Sequence, residues 1–314
     1  MAGGDALFNR NSEAVLLGHL SKPWFVYRPS HLARRVLGQT AAATPGLQPL
    51  NTAWGATIEA DPSRTIGHSI LTTGVFDLAV SETIARLVDA GGTIVDAGAN
   101  VGYMTVLAAT AAGPTGRVIA FEPHPELFAV LERNVRRLTG RGPSMAGVAL
   151  HNRALGDRDG PATLVIPSDF ASNDGTARVA RDDSGETGLP VPICTLDKVV
   201  GASRVDLLKL DVEGFEPQVL RGAARALAQR RVRHVVFEDH AVAQSDAVGL
   251  LRDAGYTLFA LGWALRRLTL EPLSAGPLAH AYEAPSFIAT LEPDLVIARC
   301  RPPGWRVLQR HLGG

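Results

Sequence analysis

From Thr93 onward the chain alternates between short apolar runs bounded by Gly, Asp or Pro and longer stretches whose apolar residues recur every three or four positions. Runs of the first kind read as buried strands, and stretches of the second as helices packed on them. Strands are expected over residues 93–97, 118–121, 148–151, 205–210, 232–237, 256–261 and 287–291. Residues 101–112 are almost wholly apolar and predict a buried helix. Pro125 suits the first turn of the next helix, where Leu127, Leu131, Val135 and Leu138 define one apolar face. Seven strands interleaved with helices predict an α/β fold with a Rossmann-like, doubly wound, mostly parallel sheet.

The pattern before Thr93 is less regular. Pro23, Pro29, Pro45 and Pro49 interrupt the first fifty residues, which leaves room for short helices and predicts a small helical cap. Short strands are expected at 58–60 and 66–71, and a helix over 81–88 with Ser81 as its N-cap. Between the third and fourth strands, 162–166 and 191–195 read as extended and 168–188 is polar and Gly-rich. A loop that long is usually functional or disordered, and contact with a substrate is its functional reading. The expected organisation is a cap with short strands over 1–75, a Rossmann-like domain over 76–300 with an insertion at 157–195, and a C-terminal tail over 301–314.

Composition removes several classes. A 46% hydrophobic content argues against disorder, and 31 basic residues balanced by 31 acidic ones leave no strongly basic surface for nucleic acid. Two cysteines, Cys194 and Cys300, are too few for a disulfide scaffold or a Cys-rich zinc module and fit a reducing compartment. No run reaches the roughly 18–20 apolar residues that cross a bilayer, and residues 1–10 lack the pattern of an export signal. The expectation is a cytoplasmic protein whose partner is a small molecule, with neither nucleic acid nor membrane involved.

Two constellations carry candidate chemistry. In the first, Asp96 ends a strand and a Gly-rich turn follows, Gly98-Ala99-Asn100-Val101-Gly102, before Tyr103 opens a buried helix. Gly98 and Gly102 leave space for a ligand near the backbone. Glu122, with Pro123 after it, ends the next strand, where a carboxylate can accept both hydroxyls of a ribose. A pyrophosphate fingerprint would need Gly-x-Gly-x-x-Gly, but the second and third glycine positions hold Asn100 and Tyr103. An acid before the turn repels phosphate and suits a cation such as S-adenosylmethionine. In the second constellation, Lys209, Asp211 and Glu213 share a face because side chains alternate along a strand, and Glu238 and His240 share one at the end of the fifth strand. Neighbouring strands would bring these charges to the crevice where open α/β sheets bind ligands. Glu216 reads as a complement to the dipole of the helix that it begins, and Asp197 as a structural cap.

These motifs resemble the FkbM family of S-adenosylmethionine-dependent methyltransferases. The likeness runs from about Ile58 to Leu291 and rests on Val95-Asp96-Ala97-Gly98-Ala99-Asn100-Val101-Gly102, Phe121-Glu122-Pro123, Thr195-Leu196-Asp197 and Leu208-Lys209-Leu210-Asp211-Val212-Glu213-Gly214-Phe215-Glu216. The last block, with the downstream Glu238-Asp239-His240, is its most specific part. The resemblance implies a class I methyltransferase sheet and methyl transfer, usually to a hydroxyl oxygen of a sugar, polyketide or other natural product. Where the family carries an aromatic followed by Glu, this chain has Phe76-Asp77, so Asp77 is carried over as a cofactor or substrate contact; Ser286 stands where an Asn is frequent.

In-line transfer to an aliphatic hydroxyl calls for a base. His240 is expected to fill that role, with Asp211 and Glu213 supporting and Glu238 orienting; the cofactor contacts expected are Asp77, Asp96, Gly98, Ala99, Asn100, Gly102, Tyr103, Glu122, Pro123 and Asp211. No metal is assigned, although carboxylates and an imidazole at strand ends would also suit Mg²⁺ or Mn²⁺, an alternative that activity surviving EDTA would exclude. A nicotinamide oxidoreductase would share the sheet and Glu122 but needs the missing glycine. A scaffold would have no use for the clustered charges.

Overall fold

A computed structural model describes residues 22–24, 43–139, 145–168, 170, 175–180, 184–239, 245–273 and 286–309. Most of the expected helical cap therefore lies outside the described residues. The hairpin β1 (Gln48–Asn51) and β2 (Thr57–Ala60) leads into α1 (Thr65–Thr73) and α2 (Leu78–Leu87). Residues 66–71, expected as a strand, belong to α1. Their buried Ile66 and Ile70 are four apart, a helical spacing, and Gly74 caps the end in a left-handed conformation. The N-cap of α2 is Asp77 rather than Ser81, its carboxylate accepting from Val80 N at 3.0 Å. Ser81 lies inside the helix and donates to Phe76 O at 2.6 Å.

The chain continues through β3 (Thr93–Ala97), α3 (Tyr103–Ala112), β4 (Arg117–Phe121), α4 (Pro125–Thr139) and β5 (Gly147–His151). The insertion forms β6 (Ala154–Leu155), β7 (Gly160–Val165), β8 (Arg178–Val179) and β9 (Leu189–Cys194), a separate four-stranded sheet in the order β6-β9-β7-β8. Then follow α5 (Leu196–Val200), β10 (Val205–Leu210), α6 (Glu216–Arg221), α7 (Ala224–Ala228), β11 (Val232–Glu238), α8 (Asp246–Asp253), β12 (Thr257–Ala264), β13 (Arg267–Pro272), β14 (Ser286–Thr290) and α9 (Pro293–Cys300).

The main sheet has the order β13-β12-β14-β11-β10-β3-β4-β5. Neighbours from β11 to β5 are parallel, and β14 runs antiparallel to both β11 and β12. All seven expected strands are present, and β13 adds an eighth at the edge as the return of a hairpin from β12. The chain leaves β3 toward β4 and β5 and later returns on its other side through β10, so the carboxyl ends of β3 and β10 flank a topological switch point, where such sheets bind ligands.

Side-chain alternation splits the core into two layers. Ile94, Leu207 and Val236 face α2, α3 and α9, whereas Val95, Leu208 and Val235 face α5 to α8. The stretch after Cys300 closes the first layer, with Trp305 and Val307 fully buried. Buried Glu82 accepts from Arg306 N and Val307 N, and its partner Arg86, 2.6 Å away, donates to Arg299 O and Gly304 O. Asp197 accepts from Arg225 N and Ala226 N at the start of α7, the structural cap that its sequence context suggests. No helix among the described residues is long and apolar enough to cross a membrane.

Candidate active site

The turn after β3 is built from alternating left-handed residues, Gly98 (φ 78°), Asn100 (φ 50°) and Gly102 (φ 91°). Its five amides are all engaged within the protein. Gly98 N and Ala99 N donate to Phe121 O, Asn100 N to Glu122 Oε2 at 2.7 Å, Val101 N to the Asn100 side chain, and Gly102 N to Ala99 O. A pyrophosphate site would present these donors to its ligand; here the tip of β4 takes three of them and the turn itself the other two.

The glycines also serve the fold. A Cβ at Gly98 would lie 1.8 Å from Asp211 O, and one at Gly102 would meet the Leu131 side chain at 2.6 Å. The space read from sequence as room for a ligand is, on the Cβ side, filled by the turn after β10 and by α4. Gly98 and Ala99 nonetheless line a cavity of about 210 Å³ that opens at the carboxyl ends of β3, β4 and β10.

Glu122 forms part of this wall. Its second oxygen accepts from His124 N at 2.8 Å, and burial, only partly offset by these two amide bonds, pushes its carboxyl up to about 7. Each oxygen keeps a lone pair for a ligand hydroxyl. The same cavity is lined by Asp211, Glu213 and Glu238 and by Asn100, Tyr103 and Pro123. Asp77 borders a smaller recess of about 30 Å³ beside them, shared with Lys209, Asp211 and Glu238, and accepts from the Ser286 hydroxyl at 3.3 Å.

Asp96 sits differently from its expected position. It is 1% exposed and absent from the lining; Thr105 donates to its Oδ2 at 2.5 Å, and Lys209 Nζ stands 3.3 Å from Oδ1. Lys209 also pairs with Asp211 at 3.3 Å and donates to Gly98 O at 2.8 Å. Burial alone would lower the Lys209 ammonium, but Asp96 and Asp211 more than offset it and hold it above the ordinary lysine range. Gly102 likewise lies outside the lining. His240, the expected base, lies outside the described residues. Tyr103 contributes to the wall although its hydroxyl is buried, accepting from Trp54 Nε1 at 3.1 Å.

Burial and the neighbouring Asp211 and Glu216 raise the Glu213 carboxyl to about 7; burial and the nearby Asp211, Glu213 and Asp77 raise Glu238 to about 8. Among the described residues lining the cavity the cations are Lys209, already shared between two aspartates, and Arg153. Such an acid surplus is relieved by a bound cation and aggravated by a phosphate. The residues thus fit a positively charged nucleoside better than a phosphorylated one.

Several parts of the wall were not among the expected site residues, Thr65 and Ile66 of α1, Met104 of α3 and Leu127 of α4 included. Arg153, Ala154 and Leu155 lie two to four residues past the carboxyl end of β5, near a position the strand-end rule points to. Ala177 and Val179 lie in the 168–188 stretch whose functional reading was substrate contact, and they line the same cavity with Leu164 of β7.

Comparison with known proteins gives a match of residues 96–258 to the Methyltransferase FkbM domain. The chain is 31% identical over 220 residues to the 31-O-demethyl-FK506 methyltransferase FkbM of Streptomyces tacrolimicus, covering 62% of this chain and 80% of that one. It is 32% identical over 163 residues to the hexuronic acid methyltransferase AglP of Haloferax volcanii, covering 51% and 61%. A crystal structure of methyltransferase FkbM from Methylobacillus flagellatus KT aligns over 64% of this chain and 44% of that one, with 15% identity and a TM-score of 0.41.

Proposed function

The chain belongs to the FkbM methyltransferase family, and from that premise we propose that it transfers the methyl group of S-adenosylmethionine to a hydroxyl oxygen of a sugar, polyketide or other small natural product. The observation that carries this reading is the wall of carboxylates, Glu122, Asp211, Glu213 and Glu238, around a turn whose amides are spent. The names of the two relatives, one for a demethylated FK506 and one for a hexuronic acid, support a hydroxyl-bearing acceptor.

When bound, the cofactor supplies an electrophilic methyl group on a positively charged sulfur. The protein's part is to align and to manage charge and protons. Glu122 accepts ribose hydroxyls, and Asp211, held by Lys209, faces the positive end. Holding the acceptor oxygen in line contributes on the order of 7–11 kcal/mol to lowering the barrier, and a base that takes its proton adds about 10²–10⁴-fold. In this reading the base comes from the carboxyl end of β11, where His240 is the sequence's candidate and Glu238 lines the cavity. Two free, buried thiols, Cys194 and Cys300, agree with a cytoplasmic setting.

The test is incubation with isotopically labelled S-adenosylmethionine and fractionated metabolite extracts, read by mass for the gain of one labelled methyl group. Calorimetric titration against NAD⁺ runs alongside. Binding of S-adenosylmethionine without NAD⁺ is expected; the reverse order of affinities would overturn the proposal.

A further inference from the structure

β13 ends the main sheet, and among the described residues it pairs with β12 alone. The register of that hairpin decides which of its backbone groups face outward. Leu273 N donates to Leu258 O at 3.0 Å, and the two residues stand opposite one another where the β12 and β13 register continues past Pro272. They form a hydrogen-bonded pair, and in an antiparallel ladder such pairs recur at every second residue. Glu271, Thr269 and Arg267 therefore turn their N–H and C=O groups toward β12, and Leu268 and Leu270 turn theirs away. Beyond Leu268 the Arg266 carbonyl is occupied by Gly304 N at 2.7 Å, and beyond Leu270 stands Pro272, which has no N–H. The outward row is bounded on both sides.

Charges on an exposed edge keep other strands away, and charges of one sign also repel a second copy of the same edge. β13 carries both signs. Exposed Arg267 and Glu271 share a face, each two residues from Thr269, so the strand is complementary to itself about a two-fold axis through Thr269. Under that symmetry Leu268 of one copy and Leu270 of the other exchange both N–H···O bonds, outward group to outward group, and the axis repeats the pair. Arg267 falls opposite Glu271 of the second copy in a non-hydrogen-bonded pair, where cross-strand side chains come closest. Moving the centre to Leu268 or Leu270 brings the occupied Arg266 carbonyl or Pro272 into the ladder and separates the charges, so one register is selected. The opposite edge of the sheet, β5, has no charge pair of this kind.

We propose that β13 is a homodimer interface, which joins two copies of this chain edge to edge through an antiparallel ladder centred on Thr269. No residue of β13 lines the candidate active-site cavity, so both cavities stay open in the dimer. The proposal goes beyond the methyltransferase reading and stands without it.

The experiment is analytical ultracentrifugation of the full chain over a wide range of concentration, where a reversible equilibrium between monomer and dimer is expected. Arg267→Glu and Glu271→Arg each put like charges into both cross-strand pairs and are expected to weaken dimerisation by about tenfold or more. Both side chains are exposed, so the circular dichroism spectra and melting temperatures of the two variants should match the wild type. An equimolar mixture of the two variants restores opposite charges at every pair and is expected to give a heterodimer of wild-type affinity. Thr269→Cys supplies a second readout, because thiols on the axis of a non-hydrogen-bonded pair stand at a Cα separation of about 4.5 Å, within disulfide range. Mild oxidation should link two copies through position 269, since Cys194 and Cys300 are buried. A monomer at every concentration, a dimer indifferent to both charge reversals, a variant mixture that stays monomeric, or an oxidised Thr269→Cys variant that remains unlinked overturns the interface.

Discussion

Replacing Gly98 by alanine tests how tightly the cofactor turn is locked to β10. The new Cβ would stand 1.8 Å from the Asp211 carbonyl oxygen, a backbone atom that cannot rotate aside, and the residue would remain at φ 78°. Left-handed strain costs about 1–2 kcal/mol, and forcing two turns apart adds about 1–3 kcal/mol. Separation also stretches the Lys209–Gly98 bond. A loss of about 2–5 kcal/mol is expected, which at about 2 °C per kcal/mol lowers the melting temperature by roughly 4–10 °C. Two neighbours calibrate the figure. Gly214→Ala carries strain alone, since its φ is 87° with nothing within 4 Å, and should cost about 1–2 kcal/mol. Gly102→Ala adds an encounter with the flexible end of Leu131 and should fall between the two. Thermal and urea unfolding of the three variants give the order directly. A Gly98 variant no less stable than the Gly214 variant would refute the claim that the close approach, rather than backbone strain, requires glycine there.

Glu122→Gln places an amide NH₂ against either Asn100 N–H or His124 N–H, and is expected to weaken S-adenosylmethionine binding by about 10–100-fold and stability by about 1–3 kcal/mol; titration calorimetry and urea unfolding check both. Glu238 is raised to about 8 in the folded apoprotein against an ordinary carboxyl of 4.5, so the stability it contributes is complete below about 4.5 and is lost as pH rises toward 8. Glu238→Gln should therefore match the wild type near pH 5 and melt at a higher temperature near pH 9, in scans across that range. Arg86→Met leaves the Glu82 carboxylate buried without its cation and frees the segment carrying Trp305; a loss of about 3–5 kcal/mol in urea unfolding is expected, with earlier proteolytic cleavage after Cys300.

The strands were legible because each central strand is buried on both faces and therefore reads as a continuous apolar run. Leu207, Leu208 and Leu210 need no context to be recognised, and Leu127, Leu131, Val135 and Leu138 declare a helix by spacing alone. Residues 66–71 failed that test because six residues with two isoleucines fit both periods, and only packing decides. The edge strand β13 alternates Leu268 and Leu270 with Arg267, Thr269 and Glu271, a pattern present in the sequence but short and largely exposed. The polar 168–188 stretch was read as a candidate for substrate contact, and Ala177 and Val179 line the cavity, whereas Leu164 was not legible because it joins Phe121 and Leu155 only through tertiary packing.

The electrostatics show the same division between composition and geometry. From sequence, Asp96 was the acid expected to attract a cationic ligand, because it precedes the glycine turn. In the fold Asp96 and Lys209 are register partners on the face that packs against α3, and their charges oppose one another before any ligand is considered. Lys209 nevertheless carries the effect of Asp96 forward, because a lysine already held by a buried carboxylate has less charge to lend to Asp211. Of the two cations lining the cavity among the described residues, Lys209 is thus committed to Asp96 and Asp211. In the proposed reading, a preference for a positive ligand comes from the acids at the ends of β10 and β11, with Asp96 acting from behind through Lys209.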